Sequence, residues 1–297
     1  MTTTIYTHSL FFKHETPSSH PESSKRLDAL AETLKNYVQK EPQTRDIDHL
    51  ILSAHTKNHL AFIEESFIED EITCIDGQDT YLSNHSIEAA KQAIVNFCQA
   101  IDDVKNDKIE RAFCLSRPPG HHAEPNKVMG FCLFNTVFIG ALHAQSIGFD
   151  KVVILDFDVH HGNGTDTMMR QNDNNNLYFI STHQGDHYPW TGNADTSTTH
   201  IYNFPIEANT GSPTMRELYL KRVLPTLKKI NPDLVLLSAG FDAHENDPHG
   251  NLNWTTEDYH WLGAHLSMYK TVATLEGGYN LQALPLSVLN FIQGQDK

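Results

Sequence analysis

The segment Asp156-Phe-Asp-Val-His-His-Gly-Asn-Gly-Thr-Asp166 places two acids and two histidines within its first six positions. It follows the apolar, β-branched run Lys151-Val-Val-Ile-Leu155, which predicts a buried strand. Because side chains on a strand alternate between faces, we expect Asp156, Asp158 and His160 on one side. Burying so many polar groups without a partner is costly, so the segment indicates a site rather than a strand that merely runs into a polar turn.

The rest of the chain alternates predicted strands with predicted helices. Strands are predicted at residues 111–116, 151–157, 177–182, 201–204, 233–239 and 271–275. Helices are predicted at about 22–40, 57–68, 85–103, 133–147, 213–230, 256–269 and 281–292. This alternation predicts an α/β fold in which one parallel sheet carries helices on both faces. The length of 297 residues suits one large domain or two small ones.

Four polar clusters follow the carboxyl ends of predicted strands. They are Arg117-Pro-Pro-Gly-His-His122, Asp158-Val-His-His161, Gly240-Phe-Asp-Ala-His244 and Glu276-Gly-Gly-Tyr279. Ligands of open parallel sheets bind at that edge, so we expect the clusters to converge there. Gly162-Asn-Gly164 is typical of a turn, which predicts that the chain leaves the sheet at this point and opens a site.

The residue types in these clusters predict metal-assisted chemistry. A carboxylate at Asp242 could join Asp158 and His160, and two carboxylates with one histidine leave a position open for water, as in catalytic metal sites. Asp242 is equally typical of a helix or turn cap. His121 and His122 could take a proton from water and return one to a leaving amine, the alternative being a pair of surface histidines.

Aromatic residues predict the surroundings of such a site. The Tyr279 phenol could stabilise charge that develops on a carbonyl oxygen, although an ordinary loop aromatic would have the same sequence. Gly130-Phe131 and Tyr188-Pro-Trp190 could form aromatic walls around a narrow apolar channel. Core packing and loop anchoring are the alternatives for these two segments.

Composition restricts the class of partner. The formal charge of −15 argues against direct binding of nucleic acid and is compatible with cationic substrates such as lysine-rich peptides or polyamines, or with plain solubility. The four cysteines show no CxxC pairing, which predicts reduced core residues in a cytosolic protein. No apolar run approaches about 18 residues, so no membrane span is predicted. Residues 1–6 have neither the basic nor the apolar region of a signal peptide.

Together the motifs resemble the histone deacetylase family, in its class II and bacterial branch, which includes acetylpolyamine amidohydrolases. The matching segments run in order along nearly the whole chain: His20–Leu27, Asp79–Tyr81, Arg117–Ala123, Gly130–Asn135, Asp156–Thr165, Ser181–Gln184, Ser238–Ala243 and Leu275–Tyr279. The resemblance implies the arginase-like deacetylase fold, with one α/β domain over residues 1–297 around an eight-stranded parallel sheet. Asn163, where class I members carry aspartate, favours class II.

The resemblance also implies roles for individual residues. Asp158, His160 and Asp242 match metal ligands, with zinc expected and ferrous iron or cobalt as alternatives. His121 and His122 match the acid/base pair, and Tyr279 matches the tyrosine that polarises the acetyl carbonyl. The substrate tunnel and its rim match Gly130, Phe131, Tyr188, Asp79 and His249, whereas Asp156 and Ser181 match a structural potassium site.

Substrate choice stays open between lysine side chains and polyamines. His249 stands where peptide deacetylases often carry leucine and some polyamine-selective ones carry glutamate, and Trp190 replaces a residue that is usually small in bacterial relatives. The N-terminal loop lacks the insertion found in the polyamine-selective eukaryotic branch. We therefore expect a zinc-dependent deacetylase of acetyl-lysine in peptides or proteins. The alternatives are an acetylpolyamine deacetylase, a non-catalytic acyl-lysine binding module, and a dinuclear ureohydrolase, which needs more bridging carboxylates. The oligomeric state stays undetermined.

Overall fold

A parallel sheet of eight strands forms the centre of the computed structural model, which describes residues 2–297. Its strands are β1 (Thr4–Tyr6), β2 (Gln39–Lys40), β5 (Arg111–Cys114), β6 (Val152–Asp156), β7 (Leu177–Gln184), β8 (Ile201–Ile206), β9 (Leu234–Ala239) and β10 (Thr271–Leu275). They lie in the order β2-β1-β5-β10-β9-β6-β7-β8, and all pairs are parallel. The eight-stranded parallel sheet is thereby confirmed. A separate antiparallel pair joins β3 (Thr73–Cys74) to β4 (Tyr81–Leu82).

Helices cover both faces of the sheet. They are α1 (Leu10–Lys13), α2 (Lys25–Leu34), α3 (Asp48–Ala54), α4 (Lys57–Glu65), α5 (Ser86–Lys105), α6 (Thr136–Ser146), α7 (Asn163–Gln171), α8 (Ser212–Leu218), α9 (Leu224–Ile230), α10 (Thr256–Leu266) and α11 (Ala283–Gln295). On β6, Val153 and Leu155 are buried in one apolar cluster, whereas Val152 and Ile154 are buried in another. Both faces of the sheet are therefore core, which explains why its strands read as continuous apolar runs.

Asp156, Asp158 and His160 lie on one side as expected, since His121 approaches both Asp156 and Asp158 and His160 contacts Asp158, but strand alternation is not the reason. β6 ends at Asp156, and the two later residues lie beyond it in a bend. The Asp158 amide donates to Asp156 Oδ1 at 3.1 Å, and the His160 amide donates to Asp158 Oδ1 at 2.9 Å. These local side-chain to backbone bonds replace the sheet ladder and curl the chain away from it.

Two helical regions also differ from prediction. The expected turn at Gly162-Asn-Gly164 opens α7, because Gly162 is the residue that precedes the helix. The expected helix at 213–230 is divided into α8 and α9 by a π-helical turn at Tyr219–Val223. Pro225 follows this turn and has no N–H to donate to the preceding turn, so the backbone widens there.

Two further expectations concern cysteines and membrane spans. All four cysteines are unpaired, and Cys98, Cys114 and Cys132 are buried. Among residues 2–297, no helix combines the length and the apolar character needed to cross a membrane.

The strand order positions the polar clusters. The clusters follow β5, β10, β9 and β6, which are four consecutive strands in the middle of the sheet. Strands that are far apart in sequence therefore deliver their following residues to one short stretch of the carboxyl edge.

Candidate active site

Asp158, His160 and Asp242 form a compact group at this edge. One ligand atom from each residue lies within 4.8 Å of the other two. His160 Nδ1 is 3.0 Å from Asp158 Oδ1 and 3.2 Å from Asp242 Oδ2. Both carboxylates are buried, and Asp242 Oδ2 has no hydrogen-bond partner. A buried, unpartnered carboxylate oxygen beside a second carboxylate and an imidazole fits a divalent cation.

The electrostatics of the group agree with that fit. Burial and the charge of Asp158 raise the pKa of Asp242 to about 7. Burial alone would lower the pKa of His160, but its hydrogen bond with Asp158 and the nearby Asp242 carboxylate raise it to about 10. Both shifts express an excess of negative charge around one imidazole, and a bound cation neutralises such an excess.

Neighbouring backbone groups hold the two carboxylates in place. The Gly277 amide donates to Asp158 Oδ2 at 2.8 Å, and the Val159 amide donates to Asp242 Oδ1 at 2.9 Å. A Cβ added at Gly277 would lie 2.0 Å from Asp242 Oδ2 and 2.6 Å from Asp158 Oδ2. Only glycine lets the backbone after β10 approach both carboxylates this closely.

The paired histidines have different partners. His121 Nδ1 lies 3.0 Å from Asp156 Oδ2, so it donates to a carboxylate. His122 Nδ1 lies 2.7 Å from Asn163 Oδ1, so it donates to a neutral amide oxygen. The two rings are buried, with centroids 4.0 Å apart.

These partners separate the protonation states of the pair. Burial acts to lower the pKa of His121, but the charges of Asp156 and Asp158 raise it to about 10. Burial, followed by the positive charges of His121 and His160, holds the pKa of His122 well below its usual range. The two environments therefore favour opposite forms, a neutral His122 whose Nε2 can accept a proton and a protonated His121.

Glu276 was missed as a functional residue in the sequence. Its Oε2 accepts from the amides of Gly120 at 2.7 Å and His121 at 3.2 Å, so it ties the end of β10 to the histidine loop. Burial raises the pKa of this carboxyl to about 7. The sequence signal that could have identified Glu276 is an acid directly after a buried strand, since the sheet fixes the backbone of such a residue.

Tyr279 lines the same cavity as His121 and His122, and its hydroxyl has no hydrogen-bond partner among the described residues. Its ring centroid is 5.9 Å from that of Phe131 and 4.8 Å from that of His249, and the Arg26 guanidinium lies 5.0 Å from it. The Tyr279 amide donates to Asp247 Oδ2 at 2.6 Å, which fixes the backbone. Within residues 2–297, the Tyr279 hydroxyl makes no hydrogen bond.

A narrow cavity of about 180 Å³ joins these groups, and we call it the tunnel. Its lining residues are Asp79, Pro119, His121, His122, Gly130, Phe131, His160, His187, Tyr188, His249, Gly277 and Tyr279. A Cβ at Gly130 would lie 2.4 Å from the His122 ring, so this glycine allows the wall to close on the histidine. The Asp79 Oδ1 and Tyr188 hydroxyl oxygens are buried without a partner. The structure thus brings all predicted catalytic, metal and tunnel residues to one place.

The predicted potassium pair occupies neighbouring strands. Asp156 on β6 and Ser181 on β7 are partners in the strand register. Ser181 Oγ lies 2.8 Å from His183 Nδ1, and Asp156 is engaged with His121. A potassium site at this pair stays a prediction.

A buried ion cluster connects the N-terminal segment to the active-site loops. Glu22 pairs with both Arg26 and Arg117, and all three side chains are fully buried. Arg26 Nε donates to the Gly278 carbonyl at 2.7 Å, and its Nη2 donates to the Glu276 carbonyl at 2.5 Å. The loop that carries Tyr279 is therefore fixed by a segment some 250 residues earlier in the chain.

Comparisons with known proteins agree with this geometry. The model of the histone deacetylase domain family matches residues 20–294. An uncharacterized protein of Synechocystis sp. is 38% identical over 298 residues, covering 95% of this chain and 96% of its own length. A probable deacetylase of Archaeoglobus fulgidus is 31% identical over 313 residues, covering 98% and 86%. Histone deacetylase 14, chloroplastic, of Arabidopsis thaliana is 33% identical over 319 residues, covering 96% and 74%.

A solved structure gives the same result for the fold. The crystal structure of the HDA15 HD domain superposes with a TM-score of 0.90 at 32% sequence identity, covering 98% of this chain and 90% of that one. The expected arginase-like deacetylase fold is therefore confirmed.

Proposed function

This chain belongs to the histone deacetylase family as a hydrolytic deacetylase, and on that premise we propose that it removes acetyl groups from the ε-nitrogen of lysine in peptides or proteins. The observation that carries the proposal is the convergence of three groups on one narrow tunnel. They are the Asp158–His160–Asp242 cluster, a neutral histidine beside a charged one, and a tyrosine with a free hydroxyl.

The tunnel suits a linear acylated side chain. Phe131 and Tyr188 present aromatic faces to an alkyl stem, and the cavity is too narrow for a folded substrate. The stem would extend from the partly exposed end near Asp79 and His249 towards the buried cluster. The acyl carbon would then lie among His122, His160 and Tyr279.

The histidines divide the proton transfers. His122 Nε2 takes a proton from water while the water oxygen bonds to the acyl carbon, and Asn163 holds the ring in the required tautomer. His121 stays protonated in the field of Asp156 and stabilises the negative charge that accumulates. When the C–N bond breaks, His122 returns its proton to the leaving nitrogen, which yields acetic acid and the amine; the acid proton then passes to the amine, so the products at neutral pH are acetate and an ammonium group.

Tyr279 stabilises the acyl oxygen. Its hydroxyl has no protein partner to give up, so it can donate to the oxygen as negative charge develops there. Gly278 precedes it with a φ of +118°, a conformation that favours glycine, and Arg26 and Asp247 fix the loop on either side. The donor is therefore oriented before the substrate arrives.

The ligand set also bears on the cofactor. We propose that Asp158, His160 and Asp242 hold zinc, with ferrous iron or cobalt as substitutes because carboxylate and imidazole ligands accept all three. When bound, such an ion supplies Lewis-acid charge that activates water and polarises a carbonyl group.

The side chain at position 249 favours lysine over polyamine substrates. His249 lines the tunnel where a carboxylate would be needed to fix a second ammonium group, and burial lowers the pKa of this histidine. A neutral imidazole does not supply the charge. We therefore expect acetyl-lysine peptides to be better substrates than acetylated putrescine or spermidine.

The test is a turnover panel on zinc-loaded enzyme with an acetyl-lysine peptide, longer acyl-lysines, acetylputrescine and acetylspermidine. The expected result is the highest kcat/KM for the acetyl-lysine peptide. A tenfold preference for a polyamine, about 1.4 kcal/mol of transition-state free energy, would reverse the substrate assignment. Failure to hydrolyse any of these amides would contradict the proposed reaction itself.

A further inference from the structure

Trp190 is a large aromatic residue that the fold leaves in solvent. Its side chain is 72% exposed, whereas Trp254 is 1% exposed and lies in the core. Its φ is +66°, a left-handed conformation that bulky residues rarely adopt. Neither core packing nor backbone preference accounts for tryptophan at this position.

The backbone on both sides of Trp190 is firmly held. The Trp190 amide donates to the His187 carbonyl at 2.7 Å, which closes a tight turn. His187 Nε2 donates to the His249 carbonyl at 3.0 Å, and Thr191 Oγ1 lies 2.8 Å from the buried His161 Nδ1. The indole therefore projects from a fixed point, and little conformational entropy is lost when something stacks on it.

The indole borders a polar groove of about 600 Å³ in which acidic residues outnumber basic ones. Three carboxylates line this groove, at Glu124, Asp166 and Asp195, against one guanidinium at Arg170. Arg170 already pairs with Asp166. Among residues 2–297, Glu124 and Asp195 form no ion pair, so the groove carries uncompensated negative charge.

The groove and the tunnel have no lining residue in common, but two short connections join their walls. Tyr188 lines the tunnel and Trp190 lines the groove, and two residues span at most about 7 Å. Asn163 forms the second connection. Its Oδ1 bonds to His122 on the tunnel side, and its Nδ2 donates to Glu124 Oε1 at 2.8 Å on the groove side. The indole therefore lies only two residues along the chain from the tunnel wall that Tyr188 forms.

We propose that Trp190 and this acidic groove bind a cationic group, an ammonium or guanidinium, that flanks the acylated nitrogen on the same substrate. The inference rests on the proposed function, since it needs acyl-lysine in the tunnel. A cation over an indole face is attracted by the ring quadrupole, and nearby carboxylates add to the attraction. In a peptide, the group is a lysine or arginine next to the acylated lysine.

The experiment compares matched substrates on the metal-loaded full chain. One pair of peptides carries arginine or alanine on both sides of acetyl-lysine, and a second pair consists of acetylputrescine and N-butylacetamide, which lacks the ammonium. The measured quantity is the ratio of kcat/KM within each pair. The variants are Trp190→Gly, which suits the backbone, Trp190→Phe, which keeps an aromatic face, and Asp195→Asn. Met268→Ala removes another exposed apolar side chain and serves as the control.

The expected arginine-to-alanine ratio is about five to ten for the wild type, the size of one exposed cation–π contact with added charge. It falls to near one in Trp190→Gly, falls partly in Asp195→Asn, and stays high in Trp190→Phe and Met268→Ala. It also decreases as salt is raised. An equal loss of kcat/KM for both peptides in Trp190→Gly, or no loss for either, would overturn the proposal.

Three further outcomes are informative. If Trp190→Gly removes the preference for acetylputrescine over N-butylacetamide and leaves the peptide ratio intact, the cation is that of a polyamine and the peptide assignment is wrong. If the wild-type enzyme hydrolyses the alanine peptide but shows a ratio of one, the groove assignment fails while the proposed reaction stands. Wild-type enzyme without activity on any substrate would instead count against the proposed function.

Discussion

Replacing Tyr279 with phenylalanine isolates one hydroxyl group. The ring contacts with Phe131, His249 and Arg26, at centroid distances of 5.9, 4.8 and 5.0 Å, need no oxygen and persist in the variant. The backbone bond to Asp247 also persists. Because the hydroxyl makes no hydrogen bond in the free site, its removal leaves no orphaned partner, and we expect the fold and the metal content to be unchanged.

The Tyr279→Phe enzyme should lose the transition-state stabilisation that one oxyanion donor provides. Removal of such a donor costs roughly 10²–10³-fold in kcat, or about 2.7–4 kcal/mol. KM should change much less, because the bond strengthens mainly in the transition state. The measurement is kcat and KM on an acetyl-lysine peptide, together with zinc content and thermal melting. Tyr178→Phe, on β7 and outside the tunnel, is the matched control.

Two results would refute this reasoning about Tyr279→Phe. An unchanged kcat at full zinc occupancy means that the hydroxyl does not meet the acyl oxygen. A loss of zinc or of thermal stability means that the hydroxyl has a structural role that the free site does not reveal.

Asp158→Ala should weaken divalent-metal binding by more than about 100-fold, because losing even a residue that only orients a ligand lowers metal affinity by roughly 10–100-fold. Full zinc stoichiometry after dialysis against a weak chelator would contradict the ligand assignment. Gly277→Ala should weaken zinc binding by roughly 10–100-fold without removing a ligand, because the new Cβ would lie 2.0 Å from Asp242 Oδ2. The control is Gly211→Ala, whose Cβ would meet nothing closer than 3.5 Å and which should bind zinc normally in the same chelator competition. Burial alone would raise the pKa of Asp166, but hydrogen bonds from His161, Arg170 and Asn203 lower it from 3.8 to about 2. A carboxyl whose pKa is lowered by folding stabilises the protein above its unfolded pKa and loses that effect as the pH falls through the folded value. Asp166→Asn should therefore reduce the free energy of unfolding by about 2 kcal/mol at pH 7. The difference in unfolding free energy from wild type should shrink between pH 4 and pH 2. A constant difference over that range in denaturant titrations would show that the Asp166 charge is not responsible.

Sequence patterns predicted the central strands of the sheet better than the short strands β1 and β2 at one side of it. The apolar runs that became β6, β9 and β10 were predicted within two residues, because strands buried on both faces leave a continuous signal. β1 and β2 were missed, since three and two residues are too few to show any period. α7 was missed because Gly162 and Gly164 are poor helix formers, and only the packed fold places a helix after them.

The active site, like the sheet, could be predicted from the sequence only in part. Clusters at the ends of strands could be predicted to meet, because parallel strands share an edge. The geometry of individual ligands could not be predicted, since Asp158 and His160 are placed by local hydrogen bonds and not by strand alternation. Glu276 and Asp247 were missed as contributors because their partners are backbone amides, which every residue except proline carries and which leave no trace in the sequence.

The position of β10 has a consequence for how the protein is made. This strand comes near the end of the chain, yet it lies in the middle of the sheet between β5 and β9. The ribosome adds roughly 160 residues between β5 and β10, so at about 5–20 residues per second the inner edge of β5 stays open for roughly 8–30 s. The inner edge of β9 waits for only about 30 residues, or roughly 2–6 s. Such edges readily pair with other chains, so nascent copies need dilution or chaperone cover during this interval. A chain that stops before residue 271 yields two unjoined half sheets and not a smaller enzyme.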